Sequence, residues 1–220
     1  MVPFSFAGET LVPSGDGALF WAERDALLVA DLHLEKASWF ARLGQLLPPY
    51  DSHATLTALA AEIERTGAKR LYCLGDSFHD RFGCERLPPQ ARALLTQMTG
   101  AVDWTWIVGN HDPGFADQCG GTIADDVELG GIILRHEAVR EESRPEISGH
   151  FHPKVRLHLR GRRVSRRCYV VAESKIIMPA FGSLTGGLDA SHPEIAKHLR
   201  TKAQALVPVA DRLLRFPIAA

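Results

Sequence analysis

Five short clusters in this chain bring together residues that bind divalent cations through nitrogen and oxygen: Asp31-x-His33, Gly75-Asp76, Gly109-Asn110-His111-Asp112, His136 and Gly149-His150-Phe151-His152. Carboxylate oxygen, imidazole nitrogen and amide oxygen, with no thiolate, suit manganese, iron(II), cobalt or zinc. The seven candidate ligands are Asp31, His33, Asp76, Asn110, His136, His150 and His152. One catalytic ion keeps a position open for water and needs fewer, so seven suit two ions sharing a carboxylate. In an extended strand alternate residues share a face, so Asp31 and His33 are expected to point at one site, and His150 and His152 likewise. Each cluster has a bland explanation when taken singly. A D-x-H tripeptide serves as a turn or cap, a lone histidine as a hydrogen-bonded structural residue, and G-N-H-D as turn chemistry. Their order along the chain and their common setting are what favour the metal reading.

That setting is a series of strand ends. Apolar runs at 26–30, 70–74, 104–108 and 132–134 lead directly into Asp31, Gly75, Gly109 and Arg135-His136. Each reads as a buried strand with polar residues at its C-terminal end. Between them, Leu56, Leu59, Ala60 and Ile63 follow helical spacing, with Asp51 or Ser52 as cap and Gly67 as stop. A second helical stripe runs from Pro88 through Ala91, Leu94, Leu95 and Met98. Strand–helix alternation predicts an α/β fold, whose ligands gather outside the carboxyl ends of the strands. From residue 122 onward the pattern predicts strands at 122–129, 131–136, 155–160, 164–171 and 175–179. A helix near 193–205 and a last strand near 206–216 follow.

The 220 residues are 45% hydrophobic and 23% charged, with a formal net charge of -1, which suits a single domain over 1–220. No apolar stretch approaches the roughly 20 residues of a membrane helix. Residues 1–10 lack the basic region and apolar run of a signal peptide, so a cytoplasmic protein is expected. Cys73, Cys84, Cys119 and Cys168 are scattered and are expected to be free thiols. Charge is uneven: residues 1–110 hold nine Lys/Arg against thirteen Asp/Glu, and 111–220 hold sixteen against thirteen.

D-x-H, G-D, G-N-H-D, H and G-H-x-H, in that order across nearly the whole chain, resemble the calcineurin-like metallophosphoesterase superfamily. The resemblance implies a four-layer α/β/β/α sandwich with two mixed sheets. It also implies that Asp31, His33, Asp76 and His152 hold one metal and that Asp76 (bridging), Asn110, His136 and His150 hold the other. Two cations about 3.5–4 Å apart lower the pKa of a shared water, giving hydroxide near neutral pH, and stabilise the in-line transition state. His111, beside Asn110, is the candidate to protonate the leaving alkoxide or steady the phosphate; its alternative role is to orient a ligand.

Gly75-Asp76-Ser77-Phe78-His79-Asp80 departs from the G-D-x-x-D-R-G of phosphoprotein phosphatases. Its G-D-x-F-H form is similar to the Mre/SbcD-type DNA repair nucleases, whose extra histidine assists strand cleavage, which makes His79 a second catalytic candidate. Asp80 would orient His111 or cap the following turn. Leu32-His33-Leu34-Glu35-Lys36, the stretches at 44–51 and 148–154, and the run from Pro179 to Asp189 resemble the ligase-associated DNA damage response endonucleases of the PdeM type. That resemblance implies a manganese-dependent endonuclease favouring single-stranded DNA, associated with a DNA ligase and a helicase in repair. A phosphodiesterase or pyrophosphatase acting on cyclic or sugar nucleotides is the alternative, because the metal core is shared. A non-catalytic binding subunit is a third reading, opposed by the complete ligand set.

Lys154, Arg156, His158, Arg160, Arg162, Arg163, Arg166 and Arg167 crowd the segment after His152. Arg156, His158 and Arg160 alternate with Val155, Leu157 and Leu159, so a strand there shows a basic face, and Gly161 predicts a hairpin that doubles it. Such a face attracts phosphate backbone; equally, charges keep a solvated edge strand from aggregating. Arg42, Arg156 and Arg160 are the substrate-binding candidates. The run from Gly182 to Gly187 either shapes the floor of the site or forms a subunit contact.

Overall fold

The computed structural model describes residues 2–112, 119–159 and 161–218. Two seven-stranded sheets and one two-stranded sheet account for the strands among these residues. In the first sheet β1 (Phe4–Phe6), β2 (Glu9–Pro13), β3 (Leu19–Trp21) and β4 (Ala26–Val29) form an antiparallel meander. Then β5 (Arg70–Leu74), β6 (Asp103–Ile107) and β7 (Thr122–Ala124) add in parallel to β4. Helices cross between the parallel strands, as parallel pairing requires: α1 (Lys36–Arg42) and α2 (Asp51–Thr66) before β5, then α3 (Gly83–Arg86) and α4 (Pro89–Ala101) before β6.

Alternation along β4 decides what each face of the first sheet meets. Leu27 and Val29 pack with Leu56 and Leu59 of α2 and with Ala91, Leu95 and Met98 of α4. Ala26, Leu28 and Ala30 point the other way and share a core with Ile132, Leu134, Ile147, Ile176 and Met178 of the second sheet. The α2 stripe is the one its sequence spacing predicts, and Gly67 ends the helix in the left-handed conformation at φ 64°.

The second sheet holds β8 (Val127–Leu129), β9 (Ile132–Leu134), β10 (Glu146–Ser148), β13 (Tyr169–Val171), β14 (Lys175–Ile177), β15 (Ala203–Val209) and β16 (Arg212–Ile218). Its order is β16-β15-β13-β14-β10-β9-β8, with β10 parallel to both β9 and β14. The predicted segment 122–129 divides between the sheets, β7 closing one and β8 opening the other. The outer face of the second sheet carries only a slight helical layer, α5 (Pro193–Ala196), whose Ile195 packs with Phe151, Val155, Val170 and Ile177.

Two expectations are corrected here. The helix expected over 193–205 stops after Ala196, and 203–218 forms a hairpin, β15 with β16, whose β15 pairs with β13. Backbone pairing to an existing sheet overrides the helical propensity of Lys202, Ala203, Gln204 and Ala205. The second correction concerns the cysteines: Cys84 and Cys119 are joined in a disulfide, with Cα atoms 6.4 Å apart, while Cys73 and Cys168 are free and buried. No described helix is long and apolar enough to cross a membrane.

Candidate metal centre

Because β4, β5 and β6 are parallel neighbours, their C-terminal ends bring Asp31, Asp76 and Asn110 to one edge of the first sheet. The ends of β9 and β10 bring His136, His150 and His152 there from the second. The strand-end placement is as expected, but strand alternation is not what aims the ligands. Asp31, His33, Asp76, His150 and His152 all lie beyond their strands with positive φ, from 46° for Asp76 to 72° for His150, His33 alone being lower at 45°. Left-handed backbone costs a non-glycine residue roughly 1–2 kcal/mol, and such outliers cluster at functional sites. Each ligand is thus turned out of its loop by local backbone, a feature that spacing alone does not reveal.

The side chains form two trios, Asp31 with His33 and His152, and Asp76 with His136 and His150, the ligand atoms of each within 4.8 Å of one another. Between them stands the Asp76 carboxylate, with Oδ2 3.7 Å from His33 Nε2 and Oδ1 3.5 Å from His136 Nε2. His33 Nε2 and His152 Nε2 are 3.3 Å apart, and His152 Nε2 is 3.5 Å from Asp31 Oδ1. In the second trio His136 Nε2 lies 2.9 Å from Asn110 Oδ1 and 3.0 Å from His150 Nδ1.

This donor set fits cations. His136 Nδ1 lies 3.1 Å from the carbonyl of Leu74, which makes it the N–H donor and leaves Nε2 as a lone pair. That lone pair, the Asn110 carbonyl oxygen and an imidazole nitrogen of His150 then converge with a carboxylate, an arrangement a positive charge relieves. Burial, with His152 and Lys36 next in effect, pushes His33 down to about 2, so its ring is neutral at physiological pH, as a metal ligand must be. Burial and then His136 lower His150 as well.

Backbone hydrogen bonds hold the carboxylates in place. His150 N–H donates to Asp31, 2.9 Å to Oδ2, and His111 N–H donates to Asp76 Oδ1 at 2.9 Å. Asp112, to which sequence reasoning gave no role, is buried and ties two ligand loops together. Its Oδ2 accepts from Ser77 N–H at 3.2 Å and Gly109 N–H at 3.1 Å, and its Oδ1 from Phe78 N–H at 3.2 Å. The last position of G-N-H-D was the available signal. Burial raises its pKa against these hydrogen bonds.

His111 and His79 border the centre. Their rings stack at 5.3 Å, and His33 lies 5.3 Å from His111 and 5.7 Å from His79. His111 Nδ1 meets the carbonyl of His79 at 3.0 Å. Asp80 does not orient His111: its carboxylate is held by Arg86 at 2.7 and 3.1 Å, with Arg42 at 4.0 Å. Burial first, then Lys36 and His111, pushes His79 down to about 4, so it is uncharged at neutral pH.

The basic hairpin is present as β11 (Lys154–Leu159) and β12 (Arg162–Arg167), turning at Gly161 with φ 77°. Its register sets Lys154 opposite Arg167, Arg156 opposite Ser165 and His158 opposite Arg163, which doubles the basic face. Several of these cations are structural ties. Lys154 donates to the carbonyl of Thr185, Arg156 to that of Gly187, and Arg167 to those of Asp16 and Gly182. Arg42 is exposed beside Asp80, and Arg160 lies outside the described residues.

The run from Gly182 to Gly187 packs against two of the ligand loops. A Cβ on Gly182 would sit 2.2 Å from the carbonyl oxygen of Leu32, and one on Gly187 2.1 Å from that of His152. Glycine allows this run to pack directly against both D-x-H and G-H-x-H loops.

No protein-family model matches the chain, and no curated protein does. Among solved structures it is similar to the nuclease MPE of Pseudomonas putida, at 27% identity and a TM-score of 0.75, over 98% of this chain and 99% of that one. It also has a remote likeness to Yfce, a phosphoesterase from E. coli, at 13% identity and a TM-score of 0.45, over 88% of this chain and 99% of that one. The fold is that of the calcineurin-like metallophosphoesterases. With two candidate metal-binding trios at its strand ends, the chain is equipped as a hydrolase of phosphoester bonds.

Proposed function

We propose that this chain is a two-metal phosphodiesterase that nicks DNA, favouring single strands and working with manganese in repair alongside a DNA ligase and a helicase. The observation that carries the reading is Asp76, a buried carboxylate with one oxygen turned to each trio. Asp31, His33, Asp76 and His152 would hold one ion, and Asp76, Asn110, His136 and His150 the other. When bound, two such ions supply acidity to a water and positive charge to the phosphate oxygens.

The chain's own groups do the rest. Leu74 fixes the tautomer of His136, and His111 N–H keeps the bridging carboxylate in orientation. With Nδ1 of His111 bonded to the His79 carbonyl, its Nε2 is the ring nitrogen left for a substrate. That nitrogen would supply the proton that the leaving alkoxide takes up. His79, neutral at physiological pH, would offer the same phosphate a hydrogen bond without a standing charge.

Support for DNA as substrate comes from His79 at the third position after the bridging carboxylate, from the basic hairpin that follows His152, and from the full-length likeness to a nuclease. The ligase and helicase association rests on the resemblance of the 44–51, 148–154 and 179–189 stretches. Incubation with single-stranded and duplex DNA in manganese, magnesium, cobalt or zinc tests the activity. Manganese-dependent nicking of single strands, abolished by Asn110→Ala and sharply reduced by His79→Ala, is the expected result. Turnover of cyclic or sugar nucleotides with no DNA cleavage would overturn it.

A further inference from the structure

The sequence motifs leave one feature beside the metal centre without a role, the surface formed by α1 and the residues after it. Trp39 and Phe40 on α1 are half-buried against His79. The Trp39 ring meets it edge-on at 4.8 Å, and the Phe40 ring stacks on it at 5.7 Å and 24°. Since His79 in turn stacks on His111, Phe40, His79 and His111 form a column of rings running from the surface to the metal ligands. Beyond it the chain exposes Leu43 at 59%, Leu46 at 88% and Tyr50 at 73%. The residue after Tyr50 returns to α1, where the Asp51 carboxylate accepts from Ala37 N–H, so Tyr50 stands beside the helix that carries the rings.

Large apolar side chains left this open beside a reaction centre mark a binding surface. The charge of the segment selects the partner. Residues 36–50 contain Lys36 and Arg42 and no acidic residue. The flanking acids are occupied, Glu35 with Ser52, Asp51 with the N–H of Ala37 and Asp80 with Arg86. Lys36 opens α1, so a cation stands on the helix that carries the rings. Aromatic faces interleaved with cations are what an unpaired nucleotide strand needs, bases on the rings and phosphates on the charges.

We infer that α1 and the loop after it form a base-stacking platform, on which Trp39 and Phe40 receive unpaired bases next to the phosphate being cut. The inference rests on the nucleic-acid reading above and adds a physical source for a single-strand preference, because a paired base has no free face to offer.

Trp39 reports on itself, since the other tryptophans, Trp21, Trp104 and Trp106, are buried. The test titrates the full chain with manganese present, following tryptophan fluorescence. The probes are a phosphorothioate-linked oligothymidylate, chosen to resist cleavage, and an abasic chain of the same length and linkage. The thymidylate is expected to quench the fluorescence and to bind roughly tenfold more tightly than the abasic chain. Trp39→Leu should remove the quench, and Phe40→Leu, which keeps the reporter, should lower the preference severalfold. Leu46→Ser with Tyr50→Ser, at exposed positions that cannot unfold the core, should weaken thymidylate binding severalfold and leave abasic binding unchanged. Equal binding of the two chains, or an unquenched signal on saturation, overturns the platform and leaves the phosphodiesterase reading intact. Binding of neither chain overturns both.

Discussion

Alanine at Gly109 would place a Cβ 2.2 Å from the backbone nitrogen of Asp76 and 2.5 Å from its Oδ1. Ordinary contact begins near 3.4 Å, so the backbone of the bridging carboxylate would have to retreat by about 1.2 Å. Gly109 does not have a left-handed φ, so the substitution acts through this contact alone. Misplacing a reacting group by about 1 Å costs on the order of 100-fold in rate, equivalent to about 2.7 kcal/mol of barrier. Gly109→Ala is therefore expected to lose roughly that factor in kcat/KM on single-stranded DNA and to need more manganese for half-maximal activity. Circular dichroism should show the fold retained. Gly100→Ala is the matched control: its Cβ would meet nothing within 4 Å and it lies in α4. That variant should keep full activity and gain about 0.5–1 kcal/mol in stability. Wild-type activity and manganese response in Gly109→Ala would refute the claim that Asp76 is held by close loop packing.

Asp112→Ala removes the acceptor of three buried backbone N–H groups. It should cost about 3 kcal/mol, seen as a lower midpoint in urea unfolding. Lys175→Met takes from the fully buried Glu146 carboxylate one of its two cations, leaving it Arg135 and the backbone N–H of Val139. A loss of about 3–5 kcal/mol is expected, and a thermal scan showing no change would contradict it. Thiol titration in denaturant without reductant should count two reactive groups, Cys73 and Cys168, rising to four after reduction. Four at the outset would mean that Cys84 and Cys119 do not pair.

What the sequence discloses, and where it stops, follows from which forces are local. The apolar runs of β4, β5 and β6 and the helical stripe of α2 are legible because each element's burial is written in its own residues. The ligands are legible too, since metal chemistry restricts residue type. Their aim is not: Asp31, His33, His150 and His152 turn toward the centre through left-handed backbone that contacts between loops stabilise, so strand alternation is the wrong mechanism. The role of Asp112 was hidden for the same reason, because its partners at Ser77 and Phe78 are distant in sequence. The C-terminal hairpin was missed where long-range pairing outweighs local propensity. The disulfide joins residues 35 apart with no spacing pattern to announce them.

Manganese binding to the purified chain, followed by calorimetry and by electron paramagnetic resonance, tests the two-metal centre most directly. Two ions per chain with the signature of an exchange-coupled pair are predicted, and Asp76→Asn should uncouple the pair and weaken binding at both positions. One ion per chain, or two that remain uncoupled in the wild type, would contradict a shared carboxylate at Asp76.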